Sequence, residues 1–235
     1  MRGQVHIAFH YKESRVPILQ ETIRLIKSWE DETDVFVHTN NPDFTLYGVI
    51  TIQWEKLDHP FLLTLMPLLY IQKTFHENTC DFFVYTEDDI GISNESYKYW
   101  KRHPYPETGF IRVAGDILFD LEKLPTVENN SFIFNMLYKA FWINTREQMY
   151  KFLEEVEHVK FDVLRNIEWS RERCAYGNVP THQSYIIPFD EFENTLVEHL
   201  GNEETAKKLM SEKSHICKYT IKQLRDIITN ANSHQ

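Results

Sequence analysis

The chain has 235 residues and a formal charge of −10, and 42% of its residues are hydrophobic. Its 16 Phe, 12 Tyr and 5 Trp carry more apolar surface than a disordered chain, so disorder is excluded. The excess of 35 acidic over 25 basic residues would repel a phosphate backbone, so we expect no nucleic-acid partner.

The first half of the chain alternates strand-like and helix-like patterns. Apolar runs of strand length occupy residues 5–9, 34–38, 49–52 and 81–86. Ile and Leu recur at helical spacing in residues 18–29, and residues 60–75 read as a helix that Pro67 either kinks or starts. Because strands that alternate with helices form βαβ crossovers, this order predicts an α/β fold with a mostly parallel central sheet flanked by helices.

The second half of the chain is less regular. Strand-like runs occupy residues 109–114, 140–143 and 185–188, and helical patterns occupy residues 145–157, 161–177 and 220–228. Thr145 is a suitable N-cap for the first of these helices, and the last is amphipathic and should pack against the body. No repeat or low-complexity linker interrupts the chain, which predicts a single domain over residues 1–235.

Several common site types are missing from the sequence. The three cysteines lie far apart, so neither a disulfide framework nor a zinc pair is expected. No P-loop, dinucleotide-binding, serine-hydrolase or zinc-protease motif occurs, and 7 glycines are too few for a phosphate-binding loop rich in glycine. The chain shows no signal peptide and no window of 18 apolar residues, so we expect a soluble intracellular protein.

The most informative motif is Glu87-Asp88-Asp89, which directly follows the apolar run that ends at Thr86. Three consecutive carboxylates at the carboxyl end of a strand repel one another, and a cation or a set of backbone donors must offset that repulsion. This end of a parallel sheet is also where α/β proteins bind ligands. The motif therefore favours Mg²⁺ or Mn²⁺ shared with nucleotide phosphates, although an acidic turn before a helix that begins near Ser93 would give the same pattern.

Residues 83–90 resemble the D-x-D-type motif of GT-A-fold glycosyltransferases, especially exostosin-like enzymes and small soluble transferases of large DNA viruses and microbes. The resemblance extends to four other segments, at residues 59–64, 109–112, 169–177 and 215–218. It implies a GT-A-type, Rossmann-like single domain with a nucleotide-binding half (1–90), an acceptor-side half (91–218) and a helical tail (219–235). Where the family often carries a His-Arg pair, Leu65–Leu68 stands here, which leaves the transferred sugar open.

What the resemblance implies is transfer of a sugar from a nucleotide diphosphate, favouring a uridine donor, to a hydroxyl of a glycan acceptor. Asp89 would be the principal ligand of Mn²⁺ or Mg²⁺, with Asp88 and Glu87 assisting at the metal or the donor. His215 would be a further metal ligand or a cation against the diphosphate, and Lys218 would contact the phosphates. Both of these last residues also fit a solvated surface.

The base that accepts the acceptor's proton is expected to be a carboxylate. Glu172 is the first candidate, because flanking arginines would keep it ionised and Trp169 could stack on a sugar face. Asp190 and Glu191 are alternatives, and an exposed helix face would equally explain Glu172. A carboxylate on the acceptor side would invert the anomeric centre, whereas its absence would favour retention.

The nucleotide is expected to lie against the loops that follow the first two strands. Their candidate residues are Phe9, Tyr11, Arg15, Thr39 and Asn40. The two aromatic rings could stack on a base, Arg15 could face the diphosphate, and the two polar side chains could read a uracil edge. Phe9 would equally suit an ordinary core, and Arg15 a solvated loop.

Two other functions remain compatible with the sequence. The chain could be a catalytically silent sugar- or nucleotide-binding module on the same fold, or a metal-dependent nucleotidyltransferase, because that chemistry also needs carboxylates at a strand end. The predicted compartment is the cytoplasm, which for the viral enzymes that the chain resembles is that of the host cell. The oligomeric state does not follow from the sequence.

Overall fold

The computed structural model describes residues 1–55, 57, 60–103, 109–119, 121, 123–135, 141–157, 184–212, 214 and 217–233. The chain divides into two compact units. The first unit contains Met1–Asp88 and Ala140–Val179, and the second contains Asp89–Lys139 and Pro180–Gln235. The chain thus passes from the first unit to the second between Asp88 and Asp89, inside the acidic triplet. The predicted nucleotide-binding half ends two residues later, at residue 90. The proposed assignment of roles to the two halves stays a prediction.

The described strands and helices are numbered here in chain order. The strands are β1 (Arg2–Phe9), β2 (Glu32–Thr39), β3 (Ile50–Gln53), β4 (Phe82–Glu87), β5 (Ile90–Gly91), β6 (Ile111–Ala114), β7 (Ile117–Leu118), β8 (Thr126–Glu128), β9 (Ser131–Asn135), β10 (Phe141–Thr145), β11 (Ser184–Pro188), β12 (Leu196–His199) and β13 (Tyr219–Thr220). The α-helices are α1 (Val16–Lys27), α2 (Met66–Thr74), α3 (Asn94–Arg102), α4 (Arg146–Glu157), α5 (Glu203–Ser211) and α6 (Ile221–Ser233). Short 3-10 helices occupy Glu13–Arg15, Pro60–Leu65, Phe75–Glu77 and Phe189–Thr195.

The first unit is built on a five-stranded sheet of order β10-β4-β1-β2-β3. β1, β2, β3 and β4 run parallel, and β10 joins the edge beside β4 in the antiparallel direction. The predicted α/β fold with a parallel-rich central sheet flanked by helices is therefore confirmed. The predicted strand at residues 140–143 is this antiparallel edge strand.

The inner strand β4, which lies between β10 and β1, is covered on both faces, as its unbroken apolar run predicts. Its residues Phe82 to Thr86 are all buried. On one face Phe83 and Tyr85 share a buried cluster with Trp142 of β10, with α2 and with α4. This packing fixes the position at which β4 ends and the acidic triplet begins.

The helix boundaries follow local sequence signals. Pro67 lies in the first turn of α2, after the 3-10 helix, so it marks the true start of that helix. Thr145 caps α4 through a reciprocal pair with Gln148: the Gln148 N–H donates to Thr145 Oγ1 at 3.3 Å, and the Thr145 N–H donates to Gln148 Oε1 at 2.7 Å. The predicted helix at residues 161–177 lies outside the described residues.

The second unit contains two sheets. The larger has the order β13-β7-β6-β12-β5, in which only the β6–β12 pair is parallel, and the smaller is the antiparallel sheet β11-β9-β8. The predicted amphipathic tail forms α6, which buries Ile221 and Leu224 within this unit. Among the described helices, none has both the length and the apolar character needed to cross a membrane.

Two fully buried histidines lie side by side in the first unit. His6 Nδ1 and His38 Nε2 are 3.0 Å apart, and the Trp54 indole N–H donates to His38 Nδ1 at 3.0 Å. Because His38 Nδ1 accepts this bond, its Nε2 carries the proton and donates to His6. Burial lowers the pKa of His38 to about 3, and burial together with the neighbouring His38 lowers the pKa of His6 well below its ordinary value. Both imidazoles are therefore neutral in the folded protein.

The histidine pair predicts acid-sensitive folding. Below about pH 6.5 the unfolded chain binds protons at these positions that the folded state excludes, so stability is lost as the pH falls from there toward 3. The slope is at most about 1.4 kcal/mol per pH unit for each histidine. Urea unfolding between pH 7 and 5 should show a clearly shallower pH dependence for the His6→Gln/His38→Gln variant than for the wild type. The exposed His76→Gln is the control, and equal slopes in all three proteins would contradict the prediction.

Candidate functional site

The carboxyl ends of three parallel strands meet at one edge of the first unit's sheet. The register pairs Phe9 of β1 with Thr39 of β2, and Ala8 of β1 with Glu87 of β4. The loops after β1 and β2 and the start of the acidic triplet therefore share the edge at which parallel sheets bind ligands. This is the arrangement that the sequence predicts for the nucleotide side of the site.

The loops after β1 and β2 are fastened to each other by Asn40. The Tyr11 backbone N–H donates to Asn40 Oδ1 at 2.9 Å, and Asn40 Nδ2 lies 3.4 Å from His10 Nε2. The side chain that was predicted to read a uracil edge is thus a tie between the two loops. A nucleotide would meet loops whose backbone is already ordered.

An aromatic group lies under the same edge. The rings of Phe9, Tyr11 and Phe44 pack with centroids 5.1 to 5.9 Å apart. Phe9 and Thr39 are fully buried, so these two predicted site residues belong to the core beneath the edge. Tyr11 is half-buried, and its ring is the part of the group that can meet a base.

Asp88 is held by α1 and the residue before it. Arg15 donates from Nε to Asp88 Oδ2 at 2.8 Å and from Nη2 to Oδ1 at 2.9 Å, and Thr22 Oγ1 donates to the Asp88 carbonyl at 2.8 Å. The carboxylate is 6% exposed, whereas the Arg15 side chain is 37% exposed. Because burying a carboxylate is costly without a charged partner, Arg15 supplies the cation that this position requires.

Asp89 begins the second unit and has different partners there. His199 Nε2 lies 3.1 Å from Asp89 Oδ2, and Asn202 Nδ2 donates to the same oxygen at 3.3 Å. The Leu200 N–H donates to the Asp89 carbonyl at 2.8 Å, and the Phe119 ring packs edge-on against His199 at 4.9 Å. The carboxylate of Asp89 is thus fixed by a histidine and an amide.

His199 is a site residue that the sequence reasoning missed. It ends β12 and pairs with Ile90 of β5, which brings it to Asp89 across 110 residues of chain. Only its place two residues after the short apolar stretch Leu196-Val197 could have pointed to it. The histidine that was predicted for this role, His215, lies outside the described residues.

The Asp89–His199 pair fits a divalent cation. Two adjacent ligands at about 2.1 Å from a small octahedral cation lie about 3.0 Å apart, close to the separation found here. Asp88 already accepts two bonds from Arg15, and within the described ranges no group of three or more His, Cys, Asp or Glu could hold a metal. Asp89 and His199 would be the residues that hold a cation here.

The pair does not resemble a proton relay. His199 Nδ1 is buried and has no hydrogen-bond partner in the described part of the chain. A general base of the His–Asp type needs its second nitrogen to face a substrate. The geometry therefore favours ligand binding at Nε2 over proton transfer.

The predicted bases and Lys218 differ in their exposure and in their hydrogen-bond partners. Asp190 is exposed in the 3-10 helix Phe189–Thr195, whereas Glu191 accepts two bonds from Arg102, at 3.1 and 2.7 Å. Partial burial raises the pKa of Glu191, but donation from Arg102 and Asn194 outweighs it, so the pKa lies below its ordinary value. Lys218 is exposed, and Glu172 lies outside the described residues.

No protein-family model matches the chain, and no curated protein matches it. Among solved structures the chain is similar to a CMP-2-keto-3-deoxy-manno-octonic acid synthetase complexed with CTP, at 11% identity and a TM-score of 0.40, with 72% of this chain and 87% of the other covered. It is also similar to a 4-diphosphocytidyl-2C-methyl-D-erythritol synthase, at 10% identity and a TM-score of 0.39, with 65% and 79% covered. Likenesses this weak carry no inference about the reaction.

The Asp89–His199 pair predicts binding of Mn²⁺. In calorimetric titration with Mn²⁺ alone, Asp89→Asn and His199→Gln should each weaken binding about 10-fold or more, because each removes a ligand. Asp226→Asn removes the same charge as Asp89→Asn from an exposed position of this unit and should leave the affinity unchanged. Equal affinities in the wild type and the two ligand variants, or no binding by the wild type, would contradict the assignment.

Proposed function

We propose that the protein is a metal-dependent glycosyltransferase that moves a sugar from a nucleotide diphosphate, a UDP-sugar, to a hydroxyl of a glycan or glycoside acceptor. The observation that carries the proposal is the 3.1 Å approach of His199 to Asp89, the last carboxylate of the triplet at the end of β4. A carboxylate is a usual ligand of Mn²⁺ and Mg²⁺, and an imidazole at this spacing would join it as a second protein ligand of Mn²⁺. Both cations commonly bind the phosphates of nucleotide substrates.

Sugar transfer makes three demands on the protein. The leaving diphosphate must be neutralised, the acceptor hydroxyl must be aimed at the anomeric carbon, and its proton must be removed. A divalent cation bound at Asp89 and His199 would neutralise the charge that develops on the leaving diphosphate. Tyr11 would offer a ring face to the base, and Arg15 would offer a cation to the phosphates.

Removal of the acceptor's proton is assigned to a carboxylate. Asp190 is exposed and therefore accessible to an acceptor, whereas Glu191 is tied to Arg102. Glu172 remains the other candidate on the strength of its flanking arginines in the sequence. Either residue in this role would invert the anomeric centre.

Nucleotidyl transfer is the alternative reaction, because it also requires carboxylates that hold a cation at a strand end. A nucleoside triphosphate carries more charge than a nucleotide sugar and is usually cradled by backbone N–H groups of a glycine-rich loop. No glycine lies between Gly3 and Gly48, so the loop after β1 has none and the loop after β2 has only Gly48, just before β3. This composition favours a nucleotide sugar over a triphosphate.

The test is turnover of a panel of nucleotide sugars with Mn²⁺, measured as release of the nucleoside diphosphate. The wild type should hydrolyse one donor slowly without an acceptor, and Asp89→Ala or a chelator should reduce the rate about 100-fold or more, because stabilisation of the leaving group is lost. Asp226→Ala should retain the wild-type rate.

The remaining outcomes separate the alternatives. Binding of nucleotide sugars without turnover of any donor would identify a silent binding module. Release of pyrophosphate from a nucleoside triphosphate and a sugar phosphate would identify a nucleotidyltransferase. Either result would refute the proposed glycosyl transfer.

A further inference from the structure

We infer that Asp88 is not a metal ligand and instead holds Arg15 in position as the group that receives the diphosphate of the substrate. The inference rests on the proposed function and divides the acidic triplet into two parts. Asp88 positions a cationic side chain of the protein, and Asp89 with His199 binds the metal. Asp88 is therefore a positioning residue, and Arg15 is the residue that contacts the ligand.

Arg15 engages the carboxylate of Asp88 through two hydrogen bonds. Both oxygens of Asp88 accept an N–H from the same guanidinium, at 2.8 and 2.9 Å. This two-bond geometry fixes the plane of the guanidinium, which one contact would leave free to rotate. A cation that used Asp88 would have to displace Arg15 from a carboxylate that is only 6% exposed.

Asp88 is held through its backbone as well as through its carboxylate. Thr22, which is fully buried in α1, donates to the Asp88 carbonyl at 2.8 Å. Arg15 directly precedes α1, and Thr22 lies about two turns further along that helix. The carboxylate of Asp88 is therefore bound at the start of this segment, and its carbonyl is bound two turns later. The orientation of Arg15 is therefore set by the fold before any ligand arrives.

Arg15 is partly exposed to solvent. Its side chain is 37% exposed, while the carboxylate beneath it is buried. A guanidinium carries five N–H donors in a fork whose geometry matches phosphate oxygens. The first turn of α1 carries no acidic side chain, so the partial positive charge of this 12-residue helix adds to that of Arg15.

A carboxylate that holds Arg15 in position preorganises the guanidinium for phosphate binding. A flexible surface arginine loses conformational freedom when it binds phosphate, and holding it beforehand removes part of that cost. The Arg15 guanidinium also offsets the negative charge of Asp88, so this aspartate does not need a metal ion as its partner.

The test uses two probes that report on the two parts separately. Inorganic pyrophosphate carries the diphosphate without base or sugar, and Mn²⁺ alone reports on the metal ligands. In metal-free calorimetry Arg15→Gln and Asp88→Asn should each weaken pyrophosphate binding about 10-fold, because a charge-assisted bond is lost or misdirected. The double variant should be no weaker than Arg15→Gln, since the two residues act as one unit. Mn²⁺ affinity should stay within about twofold in all three.

Arg24→Gln is the matched control. It removes the same charge from the same helix, where Arg24 forms an exposed pair with Glu21, and it should leave both affinities unchanged. Arg15→Lys keeps the charge but cannot make two parallel bonds, so its pyrophosphate affinity should fall between the wild type and Arg15→Gln. This variant also tests the inference if Arg15→Gln does not fold.

Two results would overturn the inference. A loss of Mn²⁺ affinity in Asp88→Asn would make Asp88 a metal ligand, and independent, multiplying effects of Arg15→Gln and Asp88→Asn on pyrophosphate binding would show that the residues act separately. Because neither probe is a nucleotide sugar, failure of the protein to turn over any donor would refute the proposed function without altering this result.

Discussion

Electrostatic repulsion among Glu87, Asp88 and Asp89 is the constraint on which the rest of the structure depends. A buried strand delivers these carboxylates to the edge of a parallel sheet, and two of them are themselves nearly buried. The two buried charges cannot persist unless each has a partner. Arg15 is the partner of Asp88 in the first unit, and His199 and Asn202 are the partners of Asp89 in the second.

These partners explain how α1 is attached to the end of β4 and why β12 ends beside Asp89. α1 begins beside Arg15 and returns to Asp88 through Thr22, so the helix is tied to the end of β4 at two points. In the second unit β12 ends at His199, and its pairing with β5 sets that imidazole against Asp89. The two neighbouring aspartates therefore have different partners: Asp88 faces a fixed guanidinium, and Asp89 faces an imidazole, which is a common metal ligand.

Much of the first unit could be predicted from sequence because its signals are local. The unbroken run before Glu87 fixes a doubly covered strand, Pro67 fixes the start of α2, and Thr145 fixes the start of α4. The partners of the triplet could not be predicted in the same way. His199 lies 110 residues from Asp89 and Arg15 lies 73 from Asp88, so only the folded chain joins them. Phe9 and Thr39 were expected to contact the ligand but are core residues. A residue's place at the end of a strand does not determine on which face of the sheet its side chain lies.

The central claim is that the triplet separates phosphate binding from metal binding. The most direct measurement is a crystal structure of the protein with Mn²⁺ and UDP. The account predicts that the cation contacts Asp89 and His199, while Arg15 keeps both bonds to Asp88 and donates to a phosphate oxygen. A structure in which Arg15 has left Asp88 and the cation is bound by the Asp88 carboxylate would contradict it.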